Sequence, residues 1–173
     1  FPVKTIEEVA RIKTEEDDIE LYLQPPLVFF ETKNFLVTSR LIEGTSPQYE
    51  KLIPNDFHTV IRCDRSPIVS ALDRLLMFNP GLIKFSPIPE DNRIKISVSN
   101  NTSGEGTELV LASFYGEAPK EFALNPRLLS EALKAIDTEE VEIKQNDPDS
   151  PIVLFPCDGD EGYRHLIMPL KLR

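Results

Sequence analysis

Residues 120–137, KEFALNPRLLSEALKAID, hold a short strand-like run followed by a helix whose start is signalled twice. Asn125 is a strong N-cap residue, because its side-chain oxygen accepts amides of the first turn that lack an intrahelical partner. Pro126 suits the first helical position, since it has no amide to leave unpaired there. The same arrangement stands upstream at 57–78, FHTVIRCDRSPIVSALDRLLMF. Here a strand leads into a helix with Ser66 predicted as its cap and Pro67 in its first turn. Each helix is followed by three strand-like runs: LIKFSPI, RIKISVSN and TELVLASFYG after the first, EVEIKQ, PIVLFP and YRHLIMPL after the second. Alternating or continuous apolar runs bounded by turn residues carry these assignments.

A third copy of the pattern opens the chain. TIEEVARIK places Ile6, Val9 and Ile12 at helical spacing, and DIELYLQ, LVFFET and FLVTSRLI follow as strands. The repeating unit is thus strand, helix and three strands, roughly 55 to 60 residues long, the length of a supersecondary repeat. One unit cannot cover its own apolar faces. Two together pack two helices against one face of two joined sheets, so the second and third units are expected to form one domain from about Asp56 onward. The first unit is half of another, and the break falls at SPQYEKLIPND, 46–56, a polar run with two prolines.

Composition narrows the function. The chain has 173 residues, 29 acidic against 19 basic, for a formal charge of −10. An even spread of that charge repels nucleic acid, so any DNA contact requires a local basic face. No run is long and apolar enough to span a bilayer, and FPVKTIEEVA lacks the basic and apolar regions of a signal peptide, so a cytoplasmic protein is expected. Cys63 and Cys157 sit in no CxxC pair, which indicates neither a disulfide framework nor a zinc site. The abrupt start at Phe1, without an initiator Met, suggests a piece of a longer chain.

Enzyme motifs are sparse. There is no GxSxG elbow and no GxxxxGK[ST] phosphate loop, and SGEG at 103–106 is too short and wrongly placed to be one. His58 and His165 fall in strand-like runs with no second His or Cys nearby to make a metal set. DGDEG at 158–162 lacks the ligand pattern of a calcium loop and reads as a hairpin turn, with Gly159 and Gly162 tolerating positive φ. The least implausible enzyme is a hydrolase that holds magnesium on Asp158 and Asp160; no cofactor is otherwise expected.

Several short motifs, in order, resemble one family. SRLIEGTSPQYEKLIP, SALDRLL, YGEAPKEFALNPRLLSEALKAI, the pair SP at 150–151 and the terminal IMPLKL are similar to the bacterial DNA polymerase III beta subunit, the replication sliding clamp. The likeness runs over essentially the whole chain. It implies the DNA clamp fold, an α+β arrangement of repeated βαβββ units with helices on one face of antiparallel sheets. Residues 1–54 would be the second half of the clamp's middle domain, and 55–173 its C-terminal domain.

The resemblance also implies a role without catalysis: a DNA polymerase processivity factor, a homodimeric ring around double-stranded DNA that tethers polymerases. Its partners would be the DNA polymerase III catalytic subunit, the clamp loader and repair polymerases, held by short peptides in a hydrophobic groove. Leu166, Ile167, Met168, Pro169, Leu170 and Lys171 would form one wall of that groove, with Pro47, Lys51 and Leu52 opposite. Leu128 stands where the family often has an aromatic residue. Lys4, Arg11, Lys13, Arg65, Arg74, Arg127 and Lys134 would face DNA, and Met77 and Phe78 would join the other subunit. Two bland readings compete: the apolar end as ordinary core, and the basic residues as a solvated helix face. An alternative role for the same fold is a free-standing peptide-binding module that does not encircle DNA.

Overall fold

The computed structural model describes residues 1–12, 18–45, 48–100, 102, 104–157 and 163–172. The chain divides into two compact units, Phe1–Pro47 and Gln48–Arg173.

In the first unit, helix α1 (Val3–Ile12) is followed by β1 (Glu20–Gln24), β2 (Leu27–Glu31) and β3 (Leu36–Arg40), an antiparallel sheet in the order β1-β2-β3. Its core is small: Val9, Val28 and Phe30, with Ile19, Val37 and Leu41 packed around them. The apolar stripe expected on α1 is only partly used. Val9 is buried, whereas Ile6 and Ile12 remain exposed, because only two buried side chains of the sheet, Val28 and Phe30, join Val9. The helix is also tied to the sheet by a 2.7 Å bond between the Thr5 and Ser39 hydroxyls.

The second unit runs β4 (Thr59–Asp64), α2 (Arg65–Leu76), β5 (Ile83–Ile88), β6 (Arg93–Asn100), β7 (Gly104–Leu111) and β8 (Ser113–Gly116). It then repeats as β9 (Phe122–Leu124), α3 (Pro126–Lys134), β10 (Glu140–Gln145), β11 (Ile152–Pro156) and β12 (His165–Ile167). The strands form two sheets, β12-β11-β10-β4-β8 and β7-β6-β5-β9, and every pairing in them is antiparallel.

One core joins both sheets and both helices. Ile68, Ala71, Leu72 and Leu75 of α2 and Leu129, Ala132 and Leu133 of α3 are buried with Ile61, Phe85, Ile94, Ile96, Val141, Ile143 and Leu154 of the strands. Phe85 and Phe122, register partners on β5 and β9, stack at 4.9 Å between ring centroids. Such a pair adds about 1 kcal/mol beyond its burial.

Two expectations need correction. TELVLASFYG is not one strand: it breaks at Ala112, so that β7 stays in the second sheet and β8 pairs with β4 in the first. Ala112 is buried at this corner, and its amide donates to Asn92 O at 2.9 Å. Nor does Ser66 cap α2. The helix begins at Arg65 after Asp64, with no side-chain cap, and the Arg65 amide donates instead to Glu139 O at 2.8 Å, just before β10. A neighbouring carbonyl thereby supplies what a cap residue would have offered. Asn125, by contrast, does cap α3, accepting from the amides of Arg127 and Leu128.

Candidate functional site

The chain after β12 explains how its last described residues stay ordered. β12 pairs with β11 in the register Ile152↔Ile167, Val153↔Leu166 and Leu154↔His165, and Ile167 is buried in the core. The ladder stops there. Pro169 has no amide to extend it, and Leu170 pairs instead with Ala123 of β9, donating its amide to Ala123 O at 2.7 Å. The last segment therefore leaves one sheet and borders the other. The break of β7–β8 at Ala112 is the matching event in the preceding repeat.

This switch sorts the side chains of the proposed wall. Ile167 faces inward, Leu166 and Pro169 are half-buried, and Met168, Leu170 and Lys171 are exposed, Met168 at 57 %. Across the linker, Tyr49–Leu52 forms a short 3-10 turn with Lys51 and Leu52 both exposed. The hydrogen bonds and ladders among the described residues do not connect that turn to the tail, and Pro47 lies outside the described residues. Leu128, in the first turn of α3, is exposed, while its neighbour Leu129 is buried. Its exposed apolar side chain breaks the amphipathic pattern of the helix, a signal readable in the sequence.

His165 lies at this end of the molecule, half-buried, with Tyr163 Oη 3.4 Å from its Nδ1. Burial pushes its pKa below the ordinary histidine value, partly offset by the Glu131 carboxylate. Both cysteines are buried free thiols. Burial raises Cys63 to about 12 and also raises Cys157, against the opposing pull of the Arg62 guanidinium.

The basic helix residues are mostly engaged. Arg11 pairs with Glu8 at 2.6 Å, Arg74 forms a two-pronged pair with Glu108 at 2.7 and 2.9 Å, and Lys134 reaches Asp73 at 3.2 Å, bridging α3 to α2. Arg65 Nε donates to Thr138 O at 2.9 Å, and Arg127 approaches Asn79 Oδ1 at 3.5 Å. Lys4 is exposed on α1, and Lys13 lies outside the described residues. On α2 and α3 together, four bases stand against two acids, so these helices are net positive within a strongly acidic chain.

Met77 and Phe78 follow α2. Met77 is 83 % exposed, whereas Phe78 packs against the core and over Gly106 of β7, where a Cβ would come within 2.8 Å of its ring. Asn100 fixes the turn by donating to Phe78 O at 3.1 Å and Asn79 O at 3.3 Å. The two residues thus have different surroundings: one is presented to solvent and the other anchors the turn.

Asp158 and Asp160, with the rest of DGDEG, lie outside the described residues. Among those described, no three His, Cys, Asp or Glu side chains converge as a metal site, and no helix is long and apolar enough to cross a membrane.

Comparison with known proteins extends over the same ground. The family model for the DNA polymerase III beta subunit, C-terminal domain, matches residues 50–171, and that for its central domain matches residues 1–48. The beta sliding clamp of Synechococcus elongatus is 34 % identical over 99 % of this chain and 46 % of its own. That of Caulobacter vibrioides is 30 % identical over 99 % and 46 %. The crystal structure of the beta subunit from Streptococcus pyogenes DNA polymerase superposes with a TM-score of 0.87 at 26 % identity, covering 99 % of this chain and 47 % of that one. The sliding clamp from Caulobacter crescentus gives 0.86 at 29 %, covering 98 % and 45 %. The chain spans about half the length of these relatives.

Proposed function

Because the chain belongs to the DNA polymerase III beta-subunit family, we propose that it serves in a sliding clamp, a processivity factor that performs no chemistry of its own. On this reading, residues 1–54 supply the second half of a middle domain and 55–173 the C-terminal domain of a homodimeric ring in the bacterial cytoplasm. The ring surrounds duplex DNA. It holds the DNA polymerase III catalytic subunit, the clamp loader and repair polymerases nearby by capturing short peptides, which raises their effective concentration without a catalytic residue.

The observation that carries the proposal is the sheet switch at Met168–Leu170. It holds backbone firmly at Leu170 while leaving the side chains of Met168 and Leu170 at the surface. A pinned strand with exposed apolar side chains offers a low-entropy docking edge, and the thioether of Met168 adapts to varied anchors. Lys51 and Leu52 contribute the facing side, Met77, on the turn that Phe78 anchors, the contact with the other subunit, and the net-positive α2 and α3 the surface turned to DNA.

A fluorescence titration tests it, with a labelled peptide containing glutamine, leucine and an aromatic residue. Weak binding is expected, lost on Met168→Glu and strengthened in a longer chain that includes the whole middle domain. Binding that Met168→Glu leaves unchanged overturns the assignment of the tail as the dock.

A further inference from the structure

Beyond Leu170, the described tail ends beside a cleft of about 650 Å³ on the face of the second sheet that points away from the core. Lys84, Ser97 and Thr107 lie abreast on β5, β6 and β7, and Lys95 stands one step along β6. Lys171 reaches in from the tail, so three ammonium groups line one cleft of a chain whose net charge is −10. Lys84 is compensated by Glu121 at 2.9 Å. Lys95 and Lys171 form no salt bridge among the described residues, although, behind the Ser86 hydroxyl and Lys84, Lys95 adds to the positive field that lowers the pKa of the Glu121 carboxylate. Glu105, also in the lining, accepts from the Ser99 hydroxyl at 3.2 Å, a neutral donor, so three ammonium groups stand against two carboxylates, Glu105 and Glu121. Leu82 and Leu172 supply an apolar wall.

We propose that this cleft is a carboxylate-binding subsite that takes an acidic segment of a docked peptide, one carrying two carboxylates beside an apolar residue. The proposal rests on the tail as the peptide dock, because Lys171 follows Leu170 directly and joins the two surfaces. Charge complementarity selects the ligand: Lys95 and Lys171, without a salt bridge among the described residues, outnumber the one unpaired lining carboxylate, Glu105, and with two hydroxyls they favour carboxylates, while the leucines take an aliphatic side chain. The cleft volume falls within the range that holds a short ligand. Peptide is favoured over nucleic acid because three lysines are too few to offset the field of an acidic chain on a polyanion, and because a phosphate backbone has no use for the leucine wall.

The test is a titration of the 173-residue chain with two peptides sharing one apolar anchor, one extended by two acidic residues and the other by the matching amides. At low ionic strength the acidic peptide is expected to bind about fivefold tighter for each carboxylate paired. That advantage shrinks by about fivefold in Lys95→Gln, an exposed residue outside the tail, and falls with added salt, while the amide peptide is unaffected by either change. Equal affinity of the two peptides for the unaltered chain overturns the subsite and leaves the tail dock standing. Failure of both to bind overturns both. Displacement of the acidic peptide by short duplex DNA, dependent on Lys95, reassigns the cleft to phosphate and overturns the proposal.

Discussion

Gly116 closes β8 at φ +85, and a Cβ there would run into the carbonyl oxygen of His58. Both effects act on backbone that cannot yield, since Glu117 N donates to the same carbonyl at 2.8 Å and Thr59 pairs with Gly116. Gly116→Ala is therefore expected to destabilise the chain by about 2–4 kcal/mol in chemical unfolding. Gly81→Ala, with open space and no positive φ, should stay within about 0.5 kcal/mol. His165 gives a pH signature. Its folded pKa lies below its unfolded value, so the unfolded chain binds the extra proton first. Stability from this group is whole at neutral pH and declines as pH falls through the ordinary histidine range. His165→Gln should flatten that part of the stability profile, and an unchanged slope would place the titration elsewhere.

The two helices of the second unit start differently, and their caps respond accordingly. Asn125→Ala removes an acceptor for two amides of α3 and should cost about 1 kcal/mol. Ser66→Ala removes no cap and should be nearly neutral by thermal unfolding. The same contrast shows what could be read from the sequence. Helix and strand identity followed from periodicity, and the cap of α3 followed from Asn-Pro, because these are local signals. The true start of α2 was hidden, since its first amide is satisfied by Glu139 from a strand far along the chain. The corner at Ala112 was equally obscure, and Pro169, which marks the end of a ladder, does not say where the tail goes next: period-two alternation specifies a strand but not the sheet it joins. For the candidate site, the apolar tail was legible, but the inward turn of Ile167 and the engagement of the helix arginines depend on tertiary neighbours. The lysines of the cleft come from three separated segments, β5, β6 and the tail, that only long-range pairing brings together.

At the scale of the molecule, charge is divided rather than uniform: a chain of −10 carries a net-positive helix pair and a lysine cleft. Weak binding of duplex DNA through the helices is expected, with affinity falling steeply as salt rises. Arg74→Glu combined with Lys134→Glu should abolish it, and salt-independent binding would speak against phosphate contacts. In light scattering the 173-residue chain is expected to be a monomer; a stable dimer would show that Met77 and Phe78, or another surface, self-associate without further domains. The burial of both thiols bears on how such association can be observed. With Cys63 raised to about 12 and Cys157 also raised, neither presents appreciable thiolate near neutrality. A single cysteine placed at the most exposed large apolar side chain among the described residues, by Met77→Cys, would then take a maleimide dye alone, so one fluorophore can report contact at that surface without removing either native sulfur.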